Sequence, residues 1–177
     1  MKVLQTAGWV LAVLASAAAM AQGAAPNDAQ IAAIVVTANQ VDIDAGKLAR
    51  TVSASQEVKD FATLMVTDHG GVNQAATELV HKLKVQPQPS DTSASLKQGG
   101  DANLARLKTL KGTAFDRAYV DNEVGYHQAV LDALDTVLIP NAKNEELKAL
   151  MVKVRPAFVA HRDHAKQLQA KLVQRGG

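Results

Sequence analysis

Apolar residues recur every three or four positions along four long segments of this chain, and this spacing limits its fold more than any other feature. The segments cover residues 31–52, 58–83, 115–137 and 147–172. A period near 3.6 is typical of amphipathic α-helices, whereas strands would alternate apolar and polar residues. The sequence therefore predicts an all-α protein with four long helices.

Capping residues indicate where these helices begin. Ser53 with Gln56 resembles a capping box at the start of the second helix. The third helix is expected to begin at Thr113 with Asp116 as its capping partner, and the fourth near Asn144.

A different composition marks residues 86–112, between the second and third helices. Pro87, Pro89 and the pair Gly99–Gly100 predict a loop, and Leu104 and Leu107 indicate a short helix near its end. Two short connections around one long connection are typical of bundles with a crossover. We therefore predict a ferritin-like four-helix bundle with a long crossover between helices two and three.

The first residues have the features of a secretory signal. Lys2 is followed by an apolar run over residues 9–20, and Ala19-Met20-Ala21 has the small-x-small pattern of a cleavage site. The run is too short to span a bilayer as a helix, and no other segment is apolar and long enough to do so. We expect a signal peptide at 1–21, a single domain at 22–177, and a periplasmic or secreted protein.

Charge and cysteine content exclude several functions. Removing Lys2 with the signal leaves 18 basic and 17 acidic residues, so there is no basic excess for nucleic-acid binding. The chain has no cysteine, which excludes disulfides, thiolate metal sites, thiol catalysis and lipid attachment. No nucleophile elbow or Ser-His-Asp spacing favours a hydrolase.

Polar residues interrupt the apolar stripe of every long helix. They are Asp42 on the first helix, His69 on the second, Glu123 and His127 on the third, and His161 on the fourth. Counted from the turns, these residues lie at similar heights, so one layer near mid-bundle could contain all five. Buried groups of this kind are costly unless they are paired or bind a metal. The layer is interpreted as a metal or redox site, with a purely structural polar layer as the alternative.

Other polar residues are assigned lesser roles. Asp44 and Asp68 border the layer as supporting or surface groups, and His81 is expected to be an ordinary solvated residue. His164 lies one turn beyond His161, and if only these two histidines were accessible together, the layer would be interpreted as an adventitious surface site.

Backbone-shaping residues also lie near the layer. Gly70–Gly71 follows His69 and indicates either close packing or a local bulge. Gly46 and Gly125 are expected to let neighbouring helices approach, and Pro156 to kink the fourth helix.

Several stretches of the chain resemble the bacterial family known as domain of unknown function 4142, a ferritin-like group of exported proteins. The resemblance covers nearly the whole mature chain in the right order. The matching stretches are residues 42–49, 58–69 with Asn73, 115–119 leading to His127, and Pro156 followed by His161.

This resemblance implies a fold and a location rather than a reaction. The family pattern has a histidine at the positions of His69, His127 and His161, which are therefore the preferred site residues. Asp42 stands where relatives tend to have Glu. Di-iron bundles carry Glu-x-x-His on two helices, and this chain has no such motif. Three imidazoles with few carboxylates suit copper or zinc better, and Met65 could add a soft ligand. A b-type haem between two histidines is left open, although no Cys-x-x-Cys-His exists for covalent haem.

Two functions are compatible with these observations. The first is a periplasmic protein that binds a transition metal ion or acts in redox chemistry. The second is a cofactor-free structural or interaction protein of the bacterial envelope. Self-association is left open, and the sequence identifies no protein partner.

Overall fold

Residues 25–174, which a computed structural model describes, form five α-helices and contain no β-strand. The predicted signal peptide lies outside these residues. The helices are α1 (Asp28–Val52), α2 (Gln56–Lys82), α3 (Asp91–Lys108), α4 (Gly112–Ala133) and α5 (Glu145–Gln174). Without a break, α4 continues into a π-helical segment (Leu134–Leu138) and a last turn (Ile139–Asn141). The predicted all-α class is confirmed.

The four long helices α1, α2, α4 and α5 pack as two antiparallel hairpins. Ion pairs join opposite ends of α2 and α5: Lys82 Nζ lies 2.5 Å from Glu146 Oε2, and Lys171 Nζ lies 2.9 Å from Glu57 Oε1. The start of α4 lies beside the end of α5, as the hydrogen bond from Arg117 to the carbonyl of Leu172 shows. Both α2 and α4 are therefore antiparallel to α5 and parallel to each other, which confirms the predicted crossover. This connectivity is that of ferritin-like four-helix bundles.

The crossover is more ordered than expected, because α3 fills most of it with 18 helical residues. Ser90 and Ser93 form a capping box at its start. The helix packs along α1, where Gly100 is so close to Val41 that an added Cβ would lie 2.7 Å from a Val41 methyl group. Only glycine permits this approach.

Two of the predicted helix caps are wrong. Ser55, not Ser53, caps α2, with its side chain accepting from the Val58 N–H. Ser53 is buried and donates to Asp116 Oδ1 at 2.5 Å. Asp116 therefore ties α4 to the end of α1 instead of capping α4, which begins at Gly112. The Asn144 cap agrees with expectation, since its Oδ1 accepts from two N–H groups of the first α5 turn.

The apolar core consists of two clusters with a polar layer between them. One contains Phe61, Met65, Phe115, Tyr119 and Leu168 among others. The other contains Ile31, Leu131, Leu134, Met151 and Phe158 among others. In each long helix the polar residues of the predicted layer lie between the two clusters in sequence.

The glycines near the layer behave differently from one another. An added Cβ at Gly46 would lie 3.0 Å from a Val66 methyl group, so the predicted close approach of α1 and α2 is present. Gly125 has no atom within 4 Å of such a Cβ, so the prediction for Gly125 is wrong. Gly70 and Gly71 also face open space inside an unbroken α-helix, so neither close packing nor a bulge explains them.

Candidate metal centre

Five polar side chains meet between the two apolar clusters. They are Asp42 from α1, His69 from α2, Glu123 and His127 from α4, and His161 from α5, each at most 3 % exposed. The helices bring them together because each residue lies on its helix's buried stripe, at the same height in the bundle. The structure thus brings together all five side chains of the predicted layer.

The centre of the cluster is a triangle of possible ligand atoms from three helices. Asp42 Oδ2 lies 2.7 Å from His69 Nε2 and 3.5 Å from His127 Nε2. The two Nε2 atoms are 3.3 Å apart. Neither Asp42 oxygen makes a hydrogen bond with a satisfactory angle to any described residue.

Hydrogen bonds at the other ring nitrogens determine which tautomer His69 and His127 adopt. His69 Nδ1 lies 2.7 Å from Asn39 Oδ1, while the Asn39 amide donates to the Val35 carbonyl. His127 Nδ1 lies 3.0 Å from the backbone carbonyl of Glu123. Because both partners are acceptors, each Nδ1 carries the proton. In the neutral rings both Nε2 atoms are therefore lone-pair acceptors that face Asp42.

His161 also has one ring nitrogen with an outward partner and one that faces the site, but here the outward nitrogen is Nε2 and the inner one is Nδ1. Its Nε2 lies 2.9 Å from Asp68 Oδ2, so this nitrogen donates, while its Nδ1 is buried without a partner among the described residues. The ring centroid lies 5.3 Å from that of His69 and 5.4 Å from that of His127. Metal-binding histidines commonly donate their second nitrogen to a carbonyl or carboxylate in this way.

Two overlapping groups of side chains have ligand atoms within 4.8 Å of one another. The first is His69, His127 and His161, and the second is Asp42, Glu123 and His127. Both Glu123 oxygens are buried without a hydrogen bond to described residues, and Oε2 lies 3.5 Å from His127 Nδ1. The site therefore offers three imidazoles and two carboxylates from all four long helices.

Burial shifts the protonation equilibria of these groups. Burial raises the pKa of Glu123 well above 4.5, and the nearby Asp42 carboxylate adds to the shift. For Asp42, burial raises the pKa, but attraction to His69 and His127, together with close polar contacts with His69 and Glu123, outweighs it, so the pKa falls to about 2. Burial lowers the pKa of His127 to about 4 and also lowers that of His161. At neutral pH Asp42 is ionised and His127 is neutral, as metal ligands must be.

Two tyrosines lie next to the carboxylates. Tyr126 donates to the Ala38 carbonyl at 2.8 Å, and the Tyr119 hydroxyl is buried without a partner among the described residues. Burial raises both pKa values well above 10, and Asp42 and Glu123 contribute to both shifts. Both phenols therefore stay protonated at neutral pH.

The residues bordering the layer divide as follows. Asp68 supports the site through His161, whereas Asp44 is partly exposed and interacts with Gln40 and Lys47. His81 and His164 are exposed, and His164 contacts only the edge of the Phe61 ring among aromatic residues described.

Sequence reasoning missed Asn39, which orients His69. Its position three residues before Asp42, on the same helical face, was the signal that could have identified it. The soft ligand suggested at Met65 stays a prediction; its side chain is buried in the apolar cluster that contains Phe61.

Fold and site together define a class: a four-helix bundle with a crossover and a buried layer of histidines and carboxylates. The chain belongs to the family described as Domain of unknown function (DUF4142), whose profile matches residues 13–168. The family resemblance predicted from the sequence is thereby confirmed. No curated protein and no solved structure matches the chain.

None of the helices within residues 25–174 combines the length and the apolar character needed to cross a membrane.

Proposed function

We propose that this protein binds one divalent transition metal ion in the mid-bundle layer, with His69, His127, His161 and Asp42 as ligands. Glu123 is the fifth group of the site, either as a further ligand or as the balancing charge. Metal binding is the function that the geometry supports best.

One observation carries this proposal. His69 Nε2, His127 Nε2 and Asp42 Oδ2 lie within 3.5 Å of one another, and the proton of each neutral ring is already used on an outward partner. Three acceptor atoms at this distance repel each other unless a proton or a metal ion lies among them, and one metal ion can satisfy all three atoms at once. A buried cluster of acceptors is therefore best explained as a cation site.

The ligand types favour copper or zinc. Imidazole suits Cu(II) and Zn(II), and a site rich in oxygen donors would be expected for magnesium or calcium. Binding of a divalent ion would displace the proton that Glu123 holds in the metal-free protein, and the two carboxylates would then balance the charge of the ion. Charge neutrality matters here because an unpaired charge is costly when buried.

The competing function is a cofactor-free structural or interaction protein of the envelope. In that case the contact between Asp42 and His69 is a buried ion pair that joins α1 to α2. The two functions differ in one measurable respect: only a metal protein gains thermal stability from the ion and loses it on treatment with a chelator.

The test compares two aspartates on α1. Asp42→Asn removes the buried carboxylate, whereas Asp44→Asn removes a partly exposed one half a turn away. Protein purified from the periplasm is analysed for metal content and then titrated with Cu²⁺ and Zn²⁺ by calorimetry at pH 7. We expect the wild type and Asp44→Asn to bind one equivalent and Asp42→Asn to bind weakly. No binding by the wild type, or full binding by Asp42→Asn, contradicts the proposal.

Periplasmic or secreted location is part of the proposal, and the N-terminal sequence pattern supports it. The test is mass spectrometry of exported protein, which should find a chain that begins at Gln22. An intact Met1 would contradict export by a cleaved signal.

A further inference from the structure

The site is enclosed, so an ion can reach it only if a side chain moves. All five groups are almost completely buried. Four seams, each the line of contact between two adjacent long helices, surround them: α1/α2, α1/α4, α4/α5 and α2/α5.

Three of these seams are closed by residues outside the site. The contacts are Gly46 against Val66 for α1/α2, the bond from Tyr126 to the Ala38 carbonyl at 2.8 Å for α1/α4, and the bond from Arg162 to Gln128 at 3.0 Å for α4/α5. None of these three contacts involves any of the five groups of the site.

The α2/α5 seam is different because a residue of the site itself closes it. His161 donates from Nε2 to Asp68 Oδ2 at 2.9 Å, and the Asp68 side chain is 39 % exposed. The other two imidazoles have buried outward partners. His69 contacts Asn39, which is 3 % exposed, and His127 contacts the backbone carbonyl of Glu123, which is 1 % exposed. Of the three imidazoles, His161 is therefore the one whose outward partner is in contact with solvent.

The α2 surface on both sides of Asp68 is open. Gly71, one turn further on the same edge, is exposed, and an added Cβ there would meet no atom within 4 Å. Leu64, one turn earlier, is 38 % exposed. A ring that swings out at this position meets little packed structure.

We infer that Asp68 and His161 form a latch through which the metal ion enters and leaves the site. When the hydrogen bond breaks, the His161 ring turns toward solvent and exposes the inner nitrogens of His69 and His127. Reclosing brings the third imidazole back onto the ion. This inference rests on the proposed function, and Asp68 is a positioning residue in it.

The kinetic test uses Cu²⁺ alone as the probe with the exported protein, in 0.15 M salt. Loading is followed by quenching of the fluorescence of Tyr119 and Tyr126, and release by transfer of the ion to a chelator. Asp68→Ala removes the acceptor of the latch. The matched control Gln128→Ala removes the corresponding acceptor of the α4/α5 seam.

The latch predicts that Asp68→Ala accelerates both loading and release by roughly tenfold, since a charge-assisted hydrogen bond no longer holds the ring. Gln128→Ala should change neither rate by more than about twofold, because that seam is not the route. Faster release with unchanged loading would mean that Asp68 only positions His161, and this overturns the latch. Equal acceleration by both variants also overturns it.

A second measurement needs no metal. Diethyl pyrocarbonate modifies accessible imidazoles, and mass spectrometry locates each modified ring. The exposed His81 and His164 should react first, His161 next, and His69 and His127 last, with Asp68→Ala accelerating His161 most. Protection of His161 equal to that of His69 overturns the latch alone. Absence of Cu²⁺ and Zn²⁺ binding instead overturns the proposed function.

Discussion

Glu123 should destabilise the metal-free protein, and replacing it should show this directly. The carboxyl group is 1 % exposed, and burial together with the charge of Asp42 raises its pKa well above 4.5. In the unfolded chain the same group ionises near its ordinary pKa. Glu123→Gln keeps the shape of the neutral side chain and removes this titration. We therefore expect the variant to be more stable than the wild type at neutral pH without metal.

The size of the effect follows from the linkage between protonation and folding. Above pH 4.5 the folded state binds a proton that the unfolded state has released, so stability falls as pH rises. The slope is ~1.4 kcal/mol per pH unit until the folded carboxyl also ionises. Multiplied by the interval from pH 4.5 to 7, this slope gives an upper bound of roughly 3–4 kcal/mol for the gain in Glu123→Gln at pH 7.

Urea unfolding in the presence of a chelator measures this difference at pH 5, 6, 7 and 8. The two proteins should be similar at pH 5 and diverge as pH rises. Glu78→Gln, an exposed substitution near the C-terminal end of α2, is the control and should stay within ~0.5 kcal/mol of the wild type. A variant less stable than the wild type at pH 7, or a difference that does not depend on pH, would refute the reasoning.

Three further predictions follow from the site and its surroundings. His127→Ala should abolish Cu²⁺ binding by calorimetry while the helical circular dichroism is retained, because alanine favours helix; loss of the helical signal would contradict this. Gly70→Ala should raise the free energy of unfolding by ~1 kcal/mol, since the added Cβ would have no atom within 4 Å. Gly100→Ala should lower the free energy of unfolding, because the added Cβ would lie 2.7 Å from a Val41 methyl group. Urea unfolding measures both changes. Phe158→Ala should cost ~3–5 kcal/mol, because the ring is 4 % exposed and stacks on an imidazole, and a near-neutral result would mean that the cavity collapses.

The four long helices were predictable because their apolar residues keep one period over 20 residues or more. Their pairing followed from connection length, since short turns force antiparallel neighbours. The extent of α3 was not predictable in the same way. Its sequence contains Gly99–Gly100 and several serines, which favour loops locally. Packing of Gly100 on Val41 and the capping box at Ser90 override that preference.

The polar layer could be located from the sequence because one or two residues per helix interrupted a stripe at comparable heights. The outward partners of the imidazoles could not be located from the sequence, because they depend on how each ring is oriented relative to the neighbouring helices. Asn39 and the Glu123 carbonyl are ordinary groups until the structure places them at 2.7 and 3.0 Å from the Nδ1 atoms. Gly125 was misassigned because spacing alone does not distinguish a glycine at a helix contact from one facing solvent.

The position of the layer argues that its residues serve a function other than stability. It separates two apolar clusters that would otherwise form one continuous core. Buried charged groups seldom stabilise a fold better than apolar residues of similar volume. Here the buried oxygens of Asp42 and Glu123 even lack hydrogen bonds to described residues. Under the proposed function, a cation would satisfy these oxygens and three imidazole lone pairs, and it would thereby join all four long helices.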